Sequence, residues 1–141
     1  MPNRNVHKLC GTVIGAVVAV EYGSYKEQDF ANAWKFMLGG AVSGFLTSTL
    51  ADKFDPPTSP NHRNWGHSVV LNGGIAFMMY EPTREFLQYL VDKAREYDNR
   101  QENFKAMICR LAFGFLVGAS SGYASHLLTD SVTPKGLPLV C

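Results

Sequence analysis

Long stretches without charged residues, separated by short polar segments, organise this chain. Residues 36–51 and 111–129 contain no Asp, Glu, Lys or Arg, and residues 9–20 form a third apolar stretch that closes at Glu21. None of them shows the strict alternation of apolar and polar positions that is typical of a strand. The pattern predicts helices, and therefore an all-α fold.

Helix-breaking residues divide the chain into about five predicted helices. Prolines 56, 57 and 60 cannot continue a helix and indicate a loop, whereas Pro82 suits the first turn of a helix. With 141 residues, the chain has the length of one compact domain, residues 1–141. The predicted helices are His7–Glu21, residues 30–52, Trp65–Tyr80, Pro82–Tyr97 and Gln101–Ser131.

Composition leaves two settings open for this bundle. Glycines within the helices let helix backbones approach closely, as in packed membrane helices. The mean hydropathy of −0.06 is nevertheless ordinary for a compact soluble or peripheral domain. Arg4 and Lys8 precede an apolar run, but no small-residue cleavage site follows, so the N-terminus is interpreted as a mature helix. The protein is expected to be membrane-associated or cytoplasmic, and not secreted.

Charge and cysteine content exclude several classes of function. The net charge is +1 and the basic residues are scattered, so no nucleic-acid partner is indicated. The three cysteines form no CxxC pair, which argues against a thiolate zinc knuckle. No GxSxG elbow and no phosphate-binding GxxxxGK[ST] loop is present. The candidate chemistry therefore lies with the four histidines.

The pair His126 and Asp130 is the strongest candidate. Positions four apart share one face of a helix, so the imidazole and the carboxylate point the same way. Such a pair can bind a divalent metal such as zinc. A buried histidine hydrogen-bonded to an aspartate is the alternative for this pair alone.

Three further groups of residues can complete a metal site between the helices. His62 and His67 bracket a predicted helix start, where a loop-to-helix corner can aim both imidazoles at one point. Asp52 and Asp55 lie at the end of an uncharged helix, where carboxylates are unfavourable for the helix dipole unless a cation compensates them. His7 opens the first helix. Histidine is the commonest metal ligand, and a bundle can gather such residues into one pocket.

Three blocks of sequence resemble one protein family, the bacterial membrane-bound metal-dependent hydrolases of the LexA-regulated type. The most specific is GYASHLLTDSVTPKG, residues 122–136, which is similar to a GYxSHLLxDxxTPxG block of that family. The others are HRNWGHS, residues 62–68, and LADKFD, residues 50–55. His7, followed by Gly11 and Gly15, resembles the histidine that opens the family's first helix. The family is distantly similar to zinc-dependent phospholipase C.

The resemblance implies an activity and a set of roles. It implies metal-assisted hydrolysis of a phosphoester in a small-molecule or lipid substrate, with one or more divalent ions, zinc first. In such a mechanism Asp52 or Asp55 could act as general base when it is not a ligand, and Arg63 could hold an anionic substrate, unless it is a solvated surface arginine. The alternatives are a non-catalytic protein with a structural or degenerate metal site, and a small membrane protein. The expected metal ligands are His7, Asp52, Asp55, His62, His67, His126 and Asp130.

Overall fold

The computed structural model describes residues 4–54 and 68–131, and these ranges contain helices and no strand. The all-α prediction is therefore confirmed for the described part of the chain. Its helices are α1 (Arg4–Glu27), α2 (Ala33–Thr47), α3 (Leu50–Phe54), α4 (Val69–Asn99) and α5 (Asn103–Ser131).

The prediction of about five bundle helices was wrong, because the described ranges hold four long helices and the five-residue α3. The predicted third and fourth helices are one continuous helix, α4, with Pro82 in its interior. Pro82 lacks an N–H group and so removes one backbone hydrogen bond, but the helix continues on both sides of it. The first helix also extends past its predicted end at Glu21 to Glu27.

Glycines bring α1, α2 and α5 into close contact. Gly40 and Gly44 of α2 face Gly15 and Gly11 of α1, and they also meet Gly118 and Gly122 of α5, while Gly114 meets the Phe36 backbone. A Cβ atom at most of these positions would collide with backbone atoms of the neighbouring helix. These contacts make α2 antiparallel to α1 and parallel to α5. α4 packs mainly on α5, through Leu87, Leu90 and Val91.

Burial in this bundle is inverted relative to a water-soluble protein. Hydroxyls and charged groups lie inside, among them Ser43, Ser48, Arg110, His126 and Asp130. Large apolar side chains are exposed instead. On two helices these include Leu9, Val13 and Val17 of α1 and Leu38, Val42 and Leu46 of α2. Exposed apolar surface of this extent marks contact with a partner or a membrane.

An ion-pair network joins α1, α4 and α5 at the end where α5 begins; Arg110 and Glu27 are buried and Asp98 is exposed. The Arg110 Nε atom donates to Glu27 Oε1 at 2.7 Å, and its Nη2 atom donates to Asp98 Oδ2 at 2.5 Å. The hydrogen bond from Arg110 holds the pKa of Asp98 below its ordinary value. Arg95 adds a bond from α4 to α1, donating to the Lys26 carbonyl oxygen at 2.8 Å. The network fixes the charged half of α4 against α1 and α5.

Two glutamines end helices in the left-handed conformation that favours glycine. Gln28 follows α1 with φ 57°, and Gln101 follows α4 with φ 60°. In each case the next residue closes the turn: the Asp29 N–H bonds the Ser24 carbonyl, and the Glu102 N–H bonds that of Tyr97.

We expect Gln101→Gly to raise the free energy of unfolding by about 0.5–1 kcal/mol, because glycine removes the steric cost of positive φ. Gln88→Gly, in the interior of α4, is the matched control and should destabilise by about 1 kcal/mol. Denaturant unfolding in detergent, followed by circular dichroism, measures both. Equal destabilisation by the two substitutions would contradict the assigned φ at Gln101.

Candidate metal centre

Three helices bring histidine and aspartate side chains together at one end of the bundle. His7 lies in the first turn of α1, while His126 and Asp130 lie one turn apart at the end of α5. Asp52 lies in α3, directly after the turn that follows α2. Since α1 and α5 are antiparallel, the start of one helix meets the end of the other. The fold thereby joins residues that are more than a hundred positions apart.

Three of these side chains, His7, His126 and Asp130, are within ligand distance of one another, and Asp52 lies beside His126. The Asp130 carboxylate lies between the histidines, with Oδ1 3.7 Å from His7 Nε2 and Oδ2 3.6 Å from His126 Nε2. Asp52 Oδ1 is 3.5 Å from His126 Nε2. The two imidazole rings are 4.2 Å apart between centroids. One ligand atom from each of His7, His126 and Asp130 lies within 4.8 Å of the other two.

These separations fit neighbouring ligands of one small cation. With zinc-to-ligand distances of about 2.0–2.2 Å and tetrahedral angles, adjacent ligand atoms are about 3.4 Å apart. The separations between the histidine nitrogens and the carboxylate oxygens, 3.5–3.7 Å, are close to that value. Imidazole nitrogen and carboxylate oxygen are also the donor types that zinc accepts.

Charge supports the same interpretation. His7, His126 and Asp130 are each at most 3% exposed, so the Asp130 carboxylate has almost no contact with bulk water. Asp130 also lies near the negative end of the α5 dipole, and no basic residue occurs in the last turn of this helix. A buried carboxylate in that position needs a compensating positive charge. A divalent cation would balance Asp130 and Asp52 together.

One side of the site, at Asp52, is less buried than the rest. The Asp52 side chain is 27% exposed, whereas those of His126 and Asp130 are at most 2% exposed. Ser68, the last residue of the HRNWGHS block, is buried at the start of α4. The remaining predicted site residues, Asp55, His62, Arg63 and His67, lie outside the described residues, and their assignment stays a prediction.

The ion-pair network of Arg110, Glu27 and Asp98 was not predicted from the sequence. Its members are separated by up to 83 positions, so no local spacing reveals them. Arg110 itself offered one indication, since it interrupts a largely apolar segment of α5. A charged residue in such a segment generally faces a partner inside the bundle.

Two helices are long and apolar enough to cross a membrane, Arg4–Glu27 and Asn103–Ser131. They are the helices that supply three of the four clustered side chains. With the inverted burial of the bundle, they support membrane association of the chain.

Comparison with known proteins identifies the family of this chain. No curated protein and no solved structure matches it. A family model described as YdjM inner membrane protein matches residues 1–141. The resemblance to a bacterial membrane protein family is thereby confirmed, while the comparisons contain no hydrolase and no phospholipase C. Because the match covers its whole length, the chain belongs to the YdjM inner membrane protein family.

Proposed function

We propose that this protein is a metal-dependent hydrolase that cleaves a phosphoester. The observation that carries the proposal is the convergence of His7, His126 and Asp130, three buried metal-ligand side chains, within 4.8 Å. Sites for metal ions in helix bundles are built in this way, from inward-facing side chains of separate helices.

Each side chain has a distinct task in this proposal. His7, His126 and Asp130 would hold the ion, and Asp52 would complete the set or face the substrate. When bound, zinc lowers the pKa of a water molecule toward about 7, which makes hydroxide available at neutral pH. Asp52, the most exposed of the four, is suited to accept the proton of that water. Hydrolysis then forms a bond from the water oxygen to phosphorus and breaks the ester P–O bond, and the leaving oxygen takes a proton.

A structural metal site is the second candidate, and the burial of the cluster favours it. Structural zinc sites are closed by four protein ligands, whereas catalytic sites keep one position open. His126 is fully buried and Asp130 nearly so. The partial exposure of Asp52 argues for an open side, and therefore for the catalytic candidate.

We expect the full chain, purified in detergent without a histidine tag, to contain at least one zinc ion per chain. It should hydrolyse a member of a panel of phosphomonoesters, phosphodiesters and phospholipids, lose that activity with a chelator, and regain it with zinc or manganese. Chelation should also lower the melting temperature, because the ligands come from distant segments and metal binding adds to folding stability. Bound zinc without turnover of any ester would overturn the hydrolase and favour the structural site.

A further inference from the structure

The metal centre lies at a sharply defined edge of an apolar belt. We define this belt as the charge-free stretches of the four long helices and their continuation into α3: residues 9–20, 36–51, 69–80 and 111–129. α1 and α4 begin at the metal-centre end, and α2 and α5 end there. At that end the stretches of α1, of α2 with α3, and of α5 stop next to the clustered residues His7, Asp52 and Asp130. At the other end of the bundle, the charge-free stretches end at different levels along the bundle axis.

In a bilayer that surrounds this belt, the cluster would lie near the level of the lipid phosphates. A bilayer presents hydrocarbon to the belt and phosphate groups to its polar edge. The exposed side chains of Leu9 and Val13 are in the first turns after His7, so hydrocarbon begins directly beside the cluster. On α1 the belt continues for 12 residues, about 18 Å at the helical rise.

Basic residues lie close to the clustered residues in sequence at this edge. Lys8 follows His7, and its ammonium nitrogen lies 4.7 Å from the ring centroid of Phe45, an exposed side chain of the belt. Arg4 and Lys53 are exposed at the same end. Within residues 4–54 and 68–131, the acidic residues at this end are Asp52 and Asp130, which belong to the cluster. The cationic rim therefore complements an anionic group that approaches from the bilayer.

We infer that the substrate is an anionic phosphoester of a membrane lipid, which is presented from the leaflet beside the metal centre, with Lys8 binding its phosphate. This inference rests on the proposed function, and it names the substrate class of that site. Three features at the same end of the bundle support this inference: the cluster of metal-ligand side chains, the end of the apolar belt, and the basic residues Arg4, Lys8 and Lys53.

The test compares the binding of three probes: one with a phosphate and acyl chains, one with the phosphate alone, and one with the chains alone. The zinc-treated protein in detergent is titrated with dioctanoyl phosphatidic acid, with glycerol 3-phosphate and with dioctanoylglycerol, and bound ligand is measured by native mass spectrometry. We expect phosphatidic acid to bind at least tenfold more tightly than either of the others, because only it carries both the phosphate and the chains. Equal binding of glycerol 3-phosphate would overturn the lipid assignment in favour of a soluble phosphate ligand.

Two lysines on α1 provide a matched pair of variants. Lys8→Gln should weaken the binding of phosphatidic acid about fivefold, the usual contribution of one basic residue near a lipid surface. Lys26→Gln removes a lysine that also lies over an aromatic ring, that of Tyr22, but at the opposite end of α1. It should leave the affinity unchanged. Equal effects of the two substitutions would contradict a phosphate site at Lys8.

Hydrolysis distinguishes failure of this inference from failure of the proposed function. Turnover of soluble phosphoesters without binding or turnover of phosphatidic acid would overturn the lipid substrate and leave the hydrolase standing. Binding of phosphatidic acid that depends on Lys8, without turnover of any ester, would support the lipid site and overturn the hydrolase.

Discussion

Gly44→Leu is expected to destabilise the bundle by about 3 kcal/mol or more, at the upper end of the usual cost of overpacking. A Cβ atom at Gly44 would collide with the carbonyl oxygen of Gly11 and come within 2.9 Å of its carbonyl carbon. These are backbone atoms of α1, so no change of rotamer can relieve the clash, and α1 and α2 must separate. The unfolding transition in detergent, followed by circular dichroism, measures the loss.

Gly73→Leu is the matched control for this prediction. Gly73 is also a helical glycine, but a Cβ atom built there has no neighbour within 4 Å. Leucine has the higher helix propensity, so this substitution should stabilise α4 by up to about 1 kcal/mol. The same leucine is thus expected to act with opposite sign at the two glycines. Destabilisation of similar size at both positions would show that helix packing at Gly44 is not the cause.

Element type could be predicted from the sequence, whereas two helix ends could not. The charge-free stretches predicted helices correctly, since no strand pattern competed with them. The first helix was predicted to end at Glu21, two residues before Gly23, and glycine commonly follows a helix C-terminus. In the structure Gly23 lies inside α1, where its lack of a side chain makes room for the Phe36 ring. A glycine needed for packing and a glycine that ends a helix look alike until the neighbouring helix is known.

Pro82 misled the prediction for a similar reason. Proline suits the first turn of a helix, and the sequence alone favoured a new helix there. α4 instead continues through Pro82, while packing by Leu87, Leu90 and Val91 holds its second half against α5. Tertiary contacts of this kind outweigh the loss of a single backbone hydrogen bond, and they are invisible to local sequence.

The sequence could predict the part of the candidate site that lies on one helix, but not the contacts between helices. His126 and Asp130 are one helical turn apart, so their shared direction follows from the helix alone. That His7 meets them depends on the antiparallel packing of α1 against α5, which helical periodicity does not specify. The family resemblance named His7 for this role, and the fold brings it to the same place. Its service as a metal ligand remains a prediction.

A membrane setting is indicated by which residues are buried and which are exposed, and not by the overall composition. A mean hydropathy of −0.06 is ordinary for a soluble domain, and the sequence left that setting open. In the structure Ser43, Arg110 and His126 are buried, whereas Leu9, Val17 and Val42 are exposed. Small residues make the helix contacts, as expected where lipid solvates the outer surface and packing holds the helices together.

His126→Ala and Asp130→Asn should each weaken zinc binding at least about 100-fold, beyond the 10–100-fold typical for losing a group that only supports a ligand. His126 is within 3.6 Å of both Asp52 and Asp130, so its loss removes the nitrogen next to both carboxylates. Asp130→Asn keeps the shape of the side chain but removes the negative charge between the two histidines. Zinc content, measured by plasma mass spectrometry after dialysis against a competing chelator, should fall in both variants, and any zinc-dependent hydrolysis should be lost with it.

Ser125→Ala provides the neighbouring control for these two variants. Ser125 is as buried as Asp130, but its hydroxyl bonds the Gly122 carbonyl oxygen at 2.7 Å within α5. Its loss costs one local hydrogen bond and leaves the clustered ligands in place, so zinc content should stay at the wild-type value. All three variants should retain a helical circular dichroism spectrum, because α5 keeps its packing glycines. If His126→Ala and Asp130→Asn bind zinc as tightly as Ser125→Ala, the ion is held elsewhere and the centre at the α1–α5 end is wrong.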